Sequence, residues 1–509
     1  MISSSKLYKK LNLHKMALTI TMNNLNFNIS SGMNLAYMST DTPIFPAAGG
    51  VYKFRFLIEV NYNIQSNPLI TKTISFTQQI TDDGKSLFNF SEIYKSIVTP
   101  QITASRNSDA PGGAIPLMKG NIHTLPIKAS GTMNPISAGL LNELQGLESF
   151  KGVANVMTIN FYEMFSAIPN GIPAKDITTL KTKKVFMFWG RGQEEEGVVI
   201  DFSPYVFTVA AKGKLLSSNY NIQNNLSKIN IGKNEYHTIS ILNKCEINTS
   251  SLPEVIRIRY YDGADASGSV LGNITYKNVS ANGGAYLSTI DTEFFYLFFG
   301  VGLENLQKLV IDGTNVAGIL PDSVAGGRDA IKSFTLFFEE NGGATITSIT
   351  YMFNVVNYCE EYDQSRLSYM NRFGAWEYIT LNKERTDELN VKKEYVTTPI
   401  TTQDNSSLLA FLPNAIDMAY PLDVAKQGKS TTSVSSAITT TMFTDYLNES
   451  EVEQIKDLMM SPQIHLLDGE NAKALILETS SMKLKREKNR GLYQYELKFK
   501  FANPKFRTT

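Results

Sequence analysis

Cysteine is nearly absent from this chain. Its 509 residues include two, Cys245 and Cys359. They are too few for a disulfide framework and form no CxxC pair of the zinc-ribbon kind. Synthesis in a reducing cytoplasm is the simple expectation. Histidine is also scarce, with four residues: His14, His123, His237 and His465. No two stand at metal-ligand spacing and no His-Glu-x-x-His motif occurs, so each is expected to be an ordinary surface or hydrogen-bonded residue. Net charge is missing as well. Lys and Arg number 48, matched by 48 Asp and Glu, which excludes a globally basic nucleic-acid binder. No stretch approaches the roughly 18 apolar residues of a membrane span, and the basic start Met1–Lys10 is not followed by the apolar segment of a signal peptide. Glycine, at 34, and proline, at 18, fall well short of collagen-like or disordered chains.

What remains is 42% hydrophobic, enough for several cores, and at about 150 residues per domain the length implies about three domains. The dominant hydrophobic period is two. Tyr52, Phe54, Phe56, Ile58 and Val60 share one strand face, and Met157, Ile159 and Phe161 share another. Val255–Tyr260 reads as a strand, followed by a Gly-rich turn and a returning strand from Val270 to Tyr276. Phe294–Val301 reads as a buried strand. Tyr493, Tyr495, Leu497, Phe499 and Phe501 alternate with polar residues near the end. Helical signals are few. Asn89 and Glu92 form a capping box for a helix over 90–98, and Asn448 with Glu451 opens another, whose Val452, Ile455, Leu458 and Met459 make one apolar stripe.

The predicted fold is therefore mainly β. It is a multi-domain, β-sandwich-like chain with a few short helices and an α+β C-terminal module. Boundaries fall at an N-terminal extension over 1–16, an N-terminal β domain over 17–215, a middle β-sandwich-like domain over 226–356, and a C-terminal module over 357–509. Residues 104–116 read as a long loop, 211–226 as a polar connector, and the Ser/Thr-rich loop over 426–441 as a low-complexity stretch; in a subunit of a larger assembly, 104–116 and 426–441 are both expected to order only against neighbouring subunits.

Most motifs that carry chemistry are absent or incomplete in this chain. Gly428-Lys429-Ser430 ends like a P-loop but lacks its first glycine, since Asp423 stands there. Gly300-Val301-Gly302 follows an apolar strand, yet Asn305 occupies the third glycine position of a dinucleotide fingerprint, so a turn is predicted. Glu194–Glu196 clusters three carboxylates on neighbouring residues that would alternate faces, and Asp262 with Asp265 carries a similarly weak metal signal. Lys483–Arg490 is basic and reads as a solvated hairpin tip. No residue is assigned a catalytic, cofactor-binding or metal-ligating role.

The most distinctive block runs from Tyr351 to Tyr395. It holds Cys359, Arg366-Leu367, Met370-Asn371, and Gly374-Ala375-Trp376-Glu377 ahead of an aromatic strand. Gly374 permits a tight turn and Trp376 buries a large surface beside it, with an indole N–H that needs a partner. The block resembles a module of virion proteins from tailed bacteriophages that infect Bacteroidota, including the crAss-like phages. In those proteins the pattern is Cys, Arg-Leu, Leu-Asn, Gly-Gly-Trp-Asp, then an aromatic strand. Here Met370, Ala375 and Glu377 replace Leu, the second Gly and Asp. Residues 43–60, 84–98, 228–241 and 449–460 are similar to other parts of the same proteins.

The resemblance implies a non-enzymatic structural role in the virion tail for a hub, ring or fibre-attachment subunit made in the bacterial host cytoplasm. It also implies homo-oligomers, contacts with ring, fibre or portal-proximal tail proteins, and nucleic acid met only transiently in a tail channel. Asn371, Gly374 and Trp376 are the residues expected to matter structurally. The main alternative is a receptor- or carbohydrate-binding module at the tail tip. A tail-associated glycan hydrolase ranks third, because no carboxylate pair is picked out.

Overall fold

A computed structural model describes residues 18–22, 27–29, 34–40, 52–64, 67–81, 83–98, 122–125, 154–166, 171–191, 202–207, 212–220, 222–242, 255–277, 296–309, 311, 316–339, 345–358, 362–397, 429–447, 449–481, 493–502 and 506–508. The extension over 1–16, the loop at 104–116, Glu194–Glu196, Lys483–Arg490, His14 and both cysteines lie outside these residues.

The chain is mainly β. Its first part pairs a three-stranded sheet, β1 (Thr19–Met22), β3 (Leu35–Ser39) and β6 (Lys85–Asn89), with a five-stranded one. The latter runs β2 (Phe27–Ile29), β8 (Ala174–Phe188), β7 (Ala154–Ser166), β4 (Tyr52–Ile64), β5 (Asn67–Gln79). The period-two faces explain the packing. Phe56, Ile58 and Val60 of β4 and Met157, Ile159 and Phe161 of β7 are buried in one core with Met22, Ala36 and Met38 of the opposite sheet. Helix α1 (Ser91–Ile97) adds Tyr94 and Ile97 to that core. Its N-cap is Phe90, one residue later than the capping box predicts. Asn89 still serves the helix start, because its Oδ1 accepts from the Ser91 N–H at 3.0 Å.

The middle sheet runs β15 (Val316–Gly318), β13 (Val270–Lys277), β12 (Val255–Tyr261), β16 (Ser333–Glu339), β17 (Thr350–Val356), β10 (Leu226–Gly232), β9 (Ile222–Gln223). A two-stranded ladder, β11 (Thr238–Leu242) with β14 (Tyr296–Gly300), shares its core. The C-terminal sheet runs β19 (Trp376–Leu381), β18 (Ser365–Met370), β22 (Ile464–Asp468), β23 (Asn471–Leu477), β24 (Glu496–Phe501), β21 (Lys429–Phe443), β20 (Arg385–Thr397), and β25 (Phe506–Thr508) lies beside β21. Helix α3 (Glu449–Met459) buries Val452, Ile455 and Leu458 against Leu367, Leu466, Leu497 and Phe499. This is the stripe its sequence shows.

One expectation needs correction and two need refinement. The Ser/Thr-rich tract is not a loop but strand β21, paired along its length with β20 in the single chain. Threonine and valine suit a pleated strand, and Thr439, Thr440 and Met442 are buried where β24 pairs with it. Residues 212–220, within the polar connector, are tied into the core. Leu215, Leu216, Ser217 and Ser218 are buried, and the Leu216 N–H bonds to the Ser240 carbonyl at 2.8 Å.

The Gly300–Gly302 turn opens a short helix, α2 (Leu303–Gln307), with Gly302 as its N-cap. Strand, Gly-x-Gly and helix thus follow one another, but the space is filled by protein. A Cβ on Gly300 would strike the Leu125 carbonyl, and one on Gly302 the Glu235 carbonyl. These glycines allow close approach of neighbouring backbone.

The largest core is shared by the five-stranded, middle and C-terminal sheets. It joins Phe186 and Phe188 of β8, Ile258 and Tyr260 of β12, and Trp376 and Tyr378 of β19.

Candidate functional site

The turn between β18 and β19 sits inside this shared core. Asn371 organises it through both ends of its side chain. Its Oδ1 accepts from the backbone N–H groups of Phe373 (2.9 Å) and Ala375 (3.1 Å). Its Nδ2 donates to the Leu216 carbonyl (2.8 Å) and to Glu377 Oε1 (3.0 Å). The Asn371 N–H closes the turn on the Ala375 carbonyl at 2.8 Å. Gly374 takes φ +74°, a left-handed conformation that disfavours any side chain.

Earlier parts of the chain grip the turn from outside. The Tyr296 hydroxyl donates to the Phe373 carbonyl at 3.0 Å, the Arg191 N–H to the Arg372 carbonyl at 2.7 Å, and the Tyr205 and Phe373 rings pack edge to face. Asn371, Gly374 and Trp376, singled out in the sequence, are therefore brought into one buried lock.

Trp376 is 1% exposed. Its indole stacks on the His465 ring at 5.0 Å and meets the edge of His123 at 4.7 Å. The partner expected for its N–H is missing, since Nε1 is buried with no hydrogen bond among the described residues.

Sequence reasoning, which takes the histidines one at a time as ordinary hydrogen-bonded residues, misses that they cluster. His123, His237 and His465 lie more than a hundred residues apart, and the fold gathers all three around Tyr378 and Trp376. His123 Nδ1 lies 2.8 Å from the Tyr378 hydroxyl, and its Nε2 is 3.0 Å from His465 Nδ1 and 3.1 Å from Ser368 Oγ. His237 packs on the other side of Tyr378, with ring centroids 4.6 Å apart. No local pattern carries such a cluster. Only the fold makes it.

The arrangement resembles a Ser–His dyad, because His237 Nε2 is 3.0 Å from Ser218 Oγ. The other nitrogen decides what it can do. His237 Nδ1 lies 3.2 Å from Arg366 Nη2, and a guanidinium only donates, so Nδ1 accepts. In the neutral ring the single N–H is then on Nε2 and points at Ser218. Such a histidine cannot take the serine proton, and a cation stands where an activating carboxylate would be needed. The Arg366 charge is balanced by Glu235 at 3.1 Å, with Thr380 bonded to both. No group of three His, Cys, Asp or Glu residues is placed to hold a metal among the described residues. Asp265 is engaged with Lys228 and Asn354, and Asp262 with the Ser269 N–H.

Glu377 is buried beneath the turn. The Ser218 N–H reaches both of its oxygens, at 2.8 and 3.0 Å, from a backbone at φ +61°. Burial pushes its pKa up to about 8, overriding the hydrogen bonds from Asn371 and Ser218 that favour the carboxylate. Burial also holds His465 down at about 4, and His123 and His237 well below the usual imidazole range.

These shifts act in opposite directions on stability. The histidines take up protons only on unfolding, so their contribution is complete above about pH 6.5 and is lost as pH falls from there. Glu377 is protonated in the folded chain, so its contribution is complete below about pH 4.5 and is lost as pH rises through about 8. Between these limits three histidines outweigh one carboxyl, which places the maximum for this cluster near pH 6.5. Glu377→Gln mimics the protonated acid. In thermal melts of the full chain it is expected to remove the decline between pH 6.5 and 8.5 and to leave the acid decline in place. An unchanged alkaline limb would show that Glu377 is ionised in the folded chain.

No family model matches the chain, and no curated protein matches its sequence.

Proposed function

We propose that this chain is a structural subunit of a tailed-bacteriophage virion, a hub, ring or fibre-attachment component of the tail, acting through self-assembly and contacts with other tail proteins. One observation carries the reading. Of the residues that bear the resemblance, Arg366, Asn371, Gly374, Trp376 and Glu377 are buried in the junction between the C-terminal sheet and the preceding parts of the chain. A motif placed there holds a shape and does not meet a substrate.

The chemistry of the junction supports the same reading. The Ser218–His237 contact has the tautomer that leaves the serine inactive, and the Arg366–Glu235 ion pair is closed on itself. Large apolar side chains are exposed elsewhere, on long ribbons. Ile172, Ile177 and Leu180 lie along or beside β8, and Leu389 and Tyr395 lie on β20. Such surfaces suit burial between subunits.

The purified full-length chain should show a defined oligomer in light scattering and particles of one shape in negative stain. A monomer at every concentration would contradict the self-assembly part of the proposal. Binding of that monomer to host-surface glycans would favour the tail-tip binding alternative.

A further inference from the structure

Strand β20 is the free edge of the C-terminal sheet. Its one partner among the described residues is β21. The opposite edge strand, β19, is almost wholly buried, whereas β20 is exposed from Thr386 to Thr397. Leu389 is 60% exposed and Val391 48%. A long exposed edge with apolar side chains is a template for another strand, and natural proteins usually protect such edges.

The charges on β20 select the partner. Asp387 and Glu388 precede Asn390 by three and two residues, and Lys392 and Lys393 follow it by two and three. The strand is therefore antisymmetric in charge about Asn390. Strand β21 supplies no compensating charge, since it faces these four residues with Thr440, Thr439, Ser435 and Val434. Asp387 has a local partner in Arg385 at 2.8 Å, and the other three have no ion pair of this kind among the described residues.

We infer that β20 pairs antiparallel with β20 of a second copy of this chain, about a two-fold axis through Asn390. In that register Asp387 faces Lys393 of the second copy, Glu388 faces Lys392, and Leu389 faces Val391. Side-chain alternation is preserved, so each pair lies on one face of the joined sheet. A parallel in-register pairing would set each charge against itself, which is unfavourable. The segment involved, from Asp387 to Lys393, ends before the irregularity between Glu394 and Tyr395 in the β20–β21 ladder. The two sheets would join into one continuous sheet across an isologous interface.

The inference deepens the self-assembly part of the proposed function and rests on it, and charge reversal tests it. The variants K392E/K393E and D387K/E388K change only exposed side chains of an edge strand, and circular dichroism checks that each remains folded. In sedimentation velocity of the full chain, each variant alone is expected to weaken self-association about a hundredfold, so that the mass halves relative to the native chain. An equimolar mixture restores opposite charges in every pair and should regain the native mass as a 1:1 complex. A native chain that is monomeric, or an oligomer that neither variant alters, would overturn the inference. The second of these outcomes would leave self-assembly through another surface standing, which separates failure of this interface from failure of the proposed function.

Discussion

Replacing Trp376 with alanine is expected to destabilise the chain by about 3–5 kcal/mol, the cost of removing a fully buried aromatic from a packed core. The ring is 1% exposed and lies between His465 and His123, side chains from two distant parts of the sequence. Its loss would leave a cavity at the point where all three parts of the chain meet, with little room for collapse because the turn beside it is fixed by Asn371. Trp376→Phe should cost much less. Phenylalanine keeps most of the packing and removes an indole N–H that has no hydrogen bond among the described residues. Urea unfolding followed by circular dichroism measures both changes. A loss below about 1 kcal/mol for the alanine variant would show that the ring is not held in this core.

Asn371→Ala is expected to cost about 3 kcal/mol for a different reason, because it strands buried polar groups that the asparagine now satisfies. The Phe373 and Ala375 N–H groups lose their shared acceptor, and the Leu216 carbonyl loses its donor. Asn371→Asp gives a sharper result. It keeps an acceptor for the two N–H groups but sets a second carboxyl against Glu377 Oε1, where an amide donor now lies at 3.0 Å. The aspartate variant should therefore lose much more stability at pH 8 than at pH 6, relative to the native chain. Equal losses at the two pH values would show that Asn371 and Glu377 are not coupled.

Much of the fold is legible in the sequence because a half-buried strand leaves a period of two. The faces of β4, β7, β12 and β24 all follow from it, as does the stripe of α3. The Ser/Thr tract misleads because composition suggested disorder, while its threonines have the β-branched shape that a strand favours. The connector near 211–226 misleads because the polarity of its serines and asparagines hides the fact that Leu215–Ser218 bond to neighbouring strands. The short helix after Gly302 has only five residues, too few for its Leu303–Leu306 pair to stand out as a helical period.

The site divides in the same way. Asn371, Gly374 and Trp376 are close in sequence and form one turn, so a local reading finds them. The histidines become neighbours only through the packing of β18, β19 and β22 against β11 and the segment at 122–125, and nothing in their local sequence marks them. The tautomer that silences Ser218 is further hidden, because it depends on an arginine more than a hundred residues away.

The most direct measurement is the location of the chain in the particle. Antibody to the purified chain, applied as gold conjugate to intact phage and read by electron microscopy alongside mass spectrometry of the same particles, tests the proposed role in one step. The account predicts the chain in the particles at a fixed stoichiometry, with label confined to the tail. Particles without the chain, or a chain found only in the infected cell, would contradict it.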